Sequence, residues 1–384
     1  MIIDTKEILN LIGLRFTNEG ESIIKVAPIR DKISIALIKG RLSTKRLSKN
    51  LGLEPRTVRK NLCILEKEGI VKRILGNKIN NFVRETDFWE LRDKKNVLMS
   101  VPKEKIYVSY STIHTNGGSR IHYFIFPKKV FLTEEFLSAL GFFQAEGSKT
   151  RQRTIEAVNG EPLLINLFLN FLRYFNVGSE DVAFRVHFNR KILRELKTNK
   201  QDLERRAVGF WSRKVDNLSE EKVKFVYSGA KKGALRKNVL DKGSLSLSYH
   251  SRLFNLFFFR LLTRCKSKLK SRPEIVSFLR GFFAGEAYVG NHDREIQIAI
   301  NTPLEMVFIR GLLERINIRS SLSKRTSTSP PRLLICSLGS FLLLHSYDIF
   351  KFHPEKKKNL VKKILNYKSL DEGLRKKLQR ELRF

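Results

Sequence analysis

Residues 139–147 read ALGFFQAEG and residues 279–287 read LRGFFAGEA. Each stretch places Gly-Phe-Phe ahead of a glutamate, Glu146 in one and Glu286 in the other, and the two glycines, Gly141 and Gly281, stand 140 positions apart. Gly141 and Ala145 are four residues apart, as are Gly281 and Gly285. On a helix that spacing puts two small side chains on one face. Such a face admits another backbone at close range. Phe142, Phe143, Phe282 and Phe283 fall on the other side and suit the core of each half. One chain holding two such helices is expected to pack them against each other about a pseudo-two-fold axis.

Packing does not explain the acids. Glu146 and Glu286 fall at the last turn of their helices, where a carboxylate faces the negative end of the helix dipole and costs about a few tenths of a kcal/mol. Paired helices would bring both carboxylates to one end, where they repel unless divalent cations lie between them. Hard oxygen ligands on a strongly basic chain point to metal-assisted hydrolysis of a phosphodiester.

The flanking segments repeat as well. After the second motif, REIQIAIN alternates as a strand, and TPLEMVFIRGLLERINI predicts a helix with Thr302 as N-cap and Pro303 at its first position. RLLICSL reads as a strand, SFLLLHSYDIF as a helix, and the tail EKKKNLVKKILNYKS as a basic helix. After the first motif, TIEAVNGEPLLINLFLNFLRYFNV gives strand, turn and helix, and VAFRVHFN gives the next strand. SLSLSYHSRLFNLFFFRLL restores the strand-helix ending after an insertion at 189–242. The order is helix–strands–helix–strand–helix, twice. GAKKGALRKN in the insertion reads as a basic, DNA-facing segment, and GNHDR around His292 lacks the second histidine that a histidine-based nuclease site needs.

The 384 residues carry 74 Lys plus Arg against 38 Asp plus Glu, a formal net charge of +36. So large an excess implies a polyanionic partner, with double-stranded DNA first and structured RNA as the alternative. A membrane partner is not expected, because LFNLFFFRLL is short and interrupted by Arg260. MIIDTKEILN has no signal-peptide pattern, and Cys63, Cys265 and Cys336 are isolated, which suits a reducing cytoplasm. The expected location is cytoplasmic, nucleoid-associated, or organellar in a eukaryotic host.

Residues 1 to about 27 carry no readable pattern. From Asp31 the chain reads as helix, helix, turn, helix and hairpin. Ser43 or Thr44 caps the second helix, Gly52 ends it, and Pro55 starts the third, where Val58, Leu62 and Leu65 share one face. Arg56, Thr57, Arg59 and Lys60 project elsewhere and are candidates for DNA contact. The GN after EKEGIVKR marks a hairpin. This segment resembles a winged helix-turn-helix of the bacterial and archaeal regulator type, which implies a helix in the major groove and a wing on the backbone. A packing or protein-docking module is the alternative. The expected layout is 1–90 for this domain, 91–130 for a connecting segment with two strands and an NGGS turn, 131–270 for the first repeat and 271–384 for the second.

The two opening stretches resemble the paired motifs of the LAGLIDADG homing endonucleases, over residues 131–384. The motif's second acid falls on Glu146 and Glu286. Its first acid is replaced by Gln144 and Ala284, and its last glycine is kept as Gly147 and becomes Ala287. The resemblance implies an α+β fold of two pseudo-symmetric repeats, whose antiparallel saddle-shaped sheets lie in the DNA major groove. It implies Mg²⁺ held by Glu146 and Glu286 as metal-binding and catalytic residues, and a basic residue near the scissile phosphate. Lys356 is the candidate among Lys356, Lys357 and Lys358, with Arg252 comparably placed in the first copy. On the strands, Arg185, His187, Gln297 and Arg332 are candidates for contact with bases or phosphates. The expected function is a monomeric, site-specific, Mg²⁺-dependent double-strand DNA endonuclease of homing type. The alternatives are a non-catalytic DNA-binding regulator on the same scaffold, and a maturase acting on structured intron RNA.

Overall fold

The computed structural model describes residues 2–11, 29–38, 41–67, 71–74, 88–91, 105–113, 119–148, 154–189, 198–228, 241–290, 295–300, 302–323 and 331–382. The hairpin turn at Gly76, residues 116–118 of the NGGS turn, the basic segment 229–238 and His292 lie outside them. The fold is α+β, and it divides into two compact units, Ile2–Val130 and Phe131–Phe384.

The first unit opens with β1 (Ile2–Asp4) and α1 (Thr5–Leu11), in a segment that shows no pattern in sequence. The Thr5 amide donates to Lys128 O at 2.9 Å, tying this start to the unit's other end. Next come α2 (Ile29–Ile38), β2 (Leu42–Ser43), α3 (Thr44–Leu51), α4 (Pro55–Lys67), β3 (Val71–Ile74) and β4 (Phe88–Leu91). The three strands form an antiparallel sheet in the order β2-β4-β3. Ser43 Oγ accepts the Arg46 amide at 3.3 Å, and Gly52 (φ +61°) ends α3 in the left-handed region that favours glycine. Ile33, Leu37, Leu47, Val58, Leu62, Leu65, Val71 and Trp89 make one buried core. Arg56, Arg59 and Lys60 are exposed on α4, and Thr57 is half-buried. The hairpin of β5 (Lys105–Ile113) and β6 (Ser119–Pro127) belongs to this same unit, and β7 (Lys129–Phe131) follows it.

The second unit holds the repeats. The first runs α5 (Glu134–Glu146), β8 (Thr154–Asn159), α6 (Pro162–Tyr174), β9 (Val182–Asn189), α7 (Lys200–Lys214), β10 (Val223–Ser228), β11 (Ser244–His250) and α8 (Arg252–Lys268). The second runs α9 (Arg272–Glu286), β12 (Ala287–Tyr288), β13 (Ile296–Ala299), α10 (Pro303–Arg315), β14 (Ser321–Ser323), β15 (Arg332–Ile335) and α11 (Leu338–Ser346). The tail expected as one basic helix is two, α12 (Pro354–Leu365) and α13 (Glu372–Glu381). The sheets are ordered β10-β9-β11-β8 and β12-β13-β15-β14. β8, β11 and β9 pair antiparallel, as do β13, β15 and β14. The insertion supplies α7 and β10, and β10 extends the first sheet as an edge strand parallel to β9.

Helices α5 and α9 pack along their small faces. A methyl group added at Gly141 would stand 1.9 Å from the Phe278 carbonyl oxygen, and one at Gly281 would stand 1.7 Å from that of Ser138. The two close approaches are related by the 140-residue offset of the motifs. Ser138 Oγ donates across the pair to Ser277 O at 2.8 Å. Phe143 and Phe283 face away from this seam, whereas Phe142, expected on the same side as they are, reaches Gly285 of the facing helix and Phe282 lines a cavity with Gln144 and Ala145. Phe143 stacks on Phe168 (5.6 Å between centroids) and meets Phe258 edge-on (4.5 Å), and Phe283 lies against Phe350 (6.0 Å).

An ionic cluster joins the repeats at the far end of the pair. Glu134 Oε1 takes Arg280 Nη1 at 2.6 Å and Lys351 Nζ at 2.8 Å, while Arg280 Nε and Nη2 donate to Tyr347 O at 3.0 and 2.8 Å. The Lys351 hydrogen bond, then the Arg280 charge, holds the Glu134 carboxyl below the usual range. Its contribution is therefore complete at neutral pH and is lost as pH falls through the lowered value. With Glu134 43% exposed, solvent screening limits it to less than about 1 kcal/mol. Melting curves of wild type and Glu134→Gln are expected to differ at neutral pH and converge in acid.

Candidate active site at the paired helix ends

Glu146 and Glu286 are the final residues of α5 and α9. Because the helices pair in matching direction through equivalent glycines, both carboxylates come to the same end of the pair. Gly285 shows how closely. A methyl group there would stand 2.7 Å from Ala145 Cβ and 3.0 Å from Glu146 Cγ, so the Glu146 side chain lies against the residue preceding Glu286.

The surroundings of the two acids differ. Asn159 ends β8 and donates from Nδ2 to Glu146 Oε1 at 3.3 Å, while its own Oδ1 accepts the Glu161 amide at 2.9 Å. Asn159 thus orients one carboxylate. In the sequence Asn159 stands just before Gly160-Glu161-Pro162, where an asparagine is an ordinary turn residue and signals no partner. Glu286 lines a small cavity with Gln144, Ala145, Phe282 and Glu305. Gln144 donates from Nε2 to Glu305 Oε1 and accepts Lys266 Nζ at 3.4 Å, and Lys266 in turn sits 4.4 Å over the Phe308 ring. An amide can serve a carboxylate and an ammonium together. A carboxylate in the Gln144 position would instead face Glu305, a physical reason for the lost first acid.

Lys356 is placed differently from the expectation of a group at a scissile phosphate. Its side chain is buried, and Nζ donates to the carbonyl oxygens of Ala284 at 2.6 Å, Gly285 at 2.9 Å and Phe283 at 3.4 Å. Lys357 pairs with Asp348 at 2.8 Å, while Lys358 and Arg252 are exposed.

The strand candidates share one kind of surface. Val182, Phe184, Val186 and Phe188 of β9 are buried, which leaves Arg185 and His187 on the opposite face. Ile296 and Ile298 of β13 are buried, as are Leu333 and Ile335 of β15, which leaves Gln297 and Arg332 on the face opposite them. His187 Nε2 bonds Ser246 Oγ at 2.9 Å, and Gln297 joins Glu295 (2.7 Å) to Arg332. Each sheet therefore turns a polar, hydrogen-bonded face away from its core. Among the described residues no helix is long and apolar enough to cross a membrane.

A single chain with two pseudo-symmetric αβ repeats, joined by a glycine-seamed helix pair that ends in two glutamates, defines a distinct class of fold. Residues 273–347, within the second repeat, match the family model described as a LAGLIDADG-like domain. Among solved structures, I-DmoI in complex with DNA and Mn is similar at 11% identity, covering 57% of this chain and 98% of its own, with a TM-score of 0.33. The N-terminal LAGLIDADG domain of DUF199/WhiA is similar at 14% identity, covering 64% and 89%, with a TM-score of 0.30. Full-length DUF199/WhiA from Thermatoga maritima is similar at 12% identity, covering 66% and 68%, with a TM-score of 0.35. No curated protein sequence matches the chain.

Proposed function

We propose that the chain is a metal-dependent, double-strand DNA endonuclease of homing type. The observation that carries this reading is the convergence of Glu146 and Glu286 at one end of the α5–α9 pair. Two carboxylates brought to one end of the helix pair repel, and a divalent cation between them would offset that repulsion. The donor set fits a hard ion. Glu146 and Glu286 would hold Mg²⁺, with water and phosphate oxygens as its remaining ligands. When bound, the ion would lower the pKa of its water and polarise the phosphate. Asn159 orients Glu146, and Gln144 keeps Glu305 engaged beside Glu286. The polar sheet faces with Arg185, His187, Gln297 and Arg332 would meet the duplex, and a net charge of +36 supports that partner.

A second reading, a DNA-binding regulator without cleavage, is favoured by one observation in the first unit. Its helices α2–α4 and the sheet β2-β4-β3 fit a winged helix-turn-helix, and α4 presents Arg56, Arg59 and Lys60 to solvent. The experiment that decides is incubation of the full chain with a randomised duplex library, with Mg²⁺ or with EDTA, followed by sequencing of cut ends and of bound duplexes. Recurrent Mg²⁺-dependent cut ends are expected. Enrichment of a bound sequence with no cut ends would replace the first reading by the second.

A further inference from the structure

Helix α12 follows the LAGLIDADG-like segment and holds the end of α9 from both sides of Glu286. Lys356 Nζ takes the carbonyls of residues 283–285, and one turn later Asn359 Nδ2 donates to Val289 O at 3.0 Å. The two side chains are three positions apart and share a face of α12. The last carbonyls of any helix lack partners within the helix, and a cation there meets the negative end of its dipole. Burying an ammonium is unfavourable unless it is hydrogen-bonded, and Lys356, only 8% exposed, satisfies that condition on backbone oxygens. Glu286 adds its own negative charge at the same place. The two helix ends share one closing bond, the Gly147 amide on Phe143 O in α5 and the Ala287 amide on Phe283 O in α9, and the lysine contacts at 283–285 are added to it.

We propose that Lys356 is the positioning residue of Glu286, with Asn359 as its companion. Together they make α12 a brace that fixes segment 283–289 and presents the Glu286 carboxylate to a divalent cation in one orientation. The inference rests on the metal-site reading above. It moves Lys356 from the reacting atoms to the scaffold behind them. The brace lies at 354–365, beyond the matched domain at 273–347.

The test uses the full chain and three variants: Lys356→Met, the milder Asn359→Ala, and Lys363→Met. Lys363 lies on the same helix and is 3% exposed, so it controls for loss of a buried lysine. Amide exchange at residues 286–289 in metal-free protein is expected to quicken by about tenfold or more in Lys356→Met, less in Asn359→Ala, and not in Lys363→Met. Mn²⁺ affinity, measured by calorimetry, is expected to fall by about tenfold in Lys356→Met and to hold in Lys363→Met. Unchanged exchange in both Lys356→Met and Asn359→Ala overturns the brace, whatever the metal does. Wild-type Mn²⁺ affinity in Lys356→Met overturns it as well. Failure of the wild-type chain to bind Mn²⁺ would remove the metal reading instead, and the exchange result alone would then decide on the brace.

Discussion

Gly281→Ala is expected to destabilise the second unit by more than about 3 kcal/mol, a loss read from urea midpoints. The new methyl would stand 1.7 Å from Ser138 O and 2.7 Å from the Phe142 amide nitrogen. Both obstacles are backbone of the facing helix, so no side chain can rotate away. The helices would have to separate, and the contact of Phe142 with Gly285 and the Ser138–Ser277 hydrogen bond would be lost with them. Gly311 in α10 is the control, since a methyl there meets nothing within 4 Å. Gly311→Ala is expected to stabilise by roughly 0.5–1 kcal/mol through helix propensity alone. Equal midpoints for Gly281→Ala and wild type would show that the seam is not closed as described.

The largest functional effect is expected from Glu146→Gln and Glu286→Gln. Each change keeps side-chain size and an oxygen acceptor, so Asn159 retains its bond to residue 146 and the fold is left intact. What is lost is the charge that, on the endonuclease reading, would hold the cation. Cleavage on a target recovered from the library is expected to fall by at least about a thousandfold in either variant, equivalent to roughly 4 kcal/mol of barrier. Binding of that duplex without metal is expected to persist or tighten, because a negative charge facing phosphates has gone. Cleavage that persists in both variants at the wild-type rate would remove these glutamates from the chemistry.

Much of this architecture is legible in the sequence because the signals are local. The Gly/Ala spacing marks the seam, the alternation in VAFRVHFN and REIQIAIN marks two strands, and Thr302-Pro303 marks the start of α10. The elements that escape reading are those whose partners are distant. β14 is three residues of Ser-Leu-Ser held only by its pairing with β15, and β12 is two residues held by β13. β1 and α1 depend on a return to Lys128, far along the chain. The same division runs through the site. The glutamates stand out because an acid at a helix C-terminus contradicts the dipole, twice. Asn159 looks like a turn residue and Gln144 like a lost acid until their partners, Glu146 and Glu305, are in place. Lys356 stands out as a charge, but its backbone partners at 283–285 are fixed only by tertiary packing.

The two sheets are unequal in reach. Among the described residues β9 has eight residues and spans roughly 26 Å, whereas β13 and β15, the longest strands of the second sheet, have four and span roughly 13 Å. β10 broadens the first sheet further. A symmetric dimer presents identical halves and is matched to palindromes. On the endonuclease reading, this fused chain has no such obligation, and its footprint is lopsided. Most of the sequence discrimination would fall on the half of the target under β8–β11, while the other half would tolerate drift.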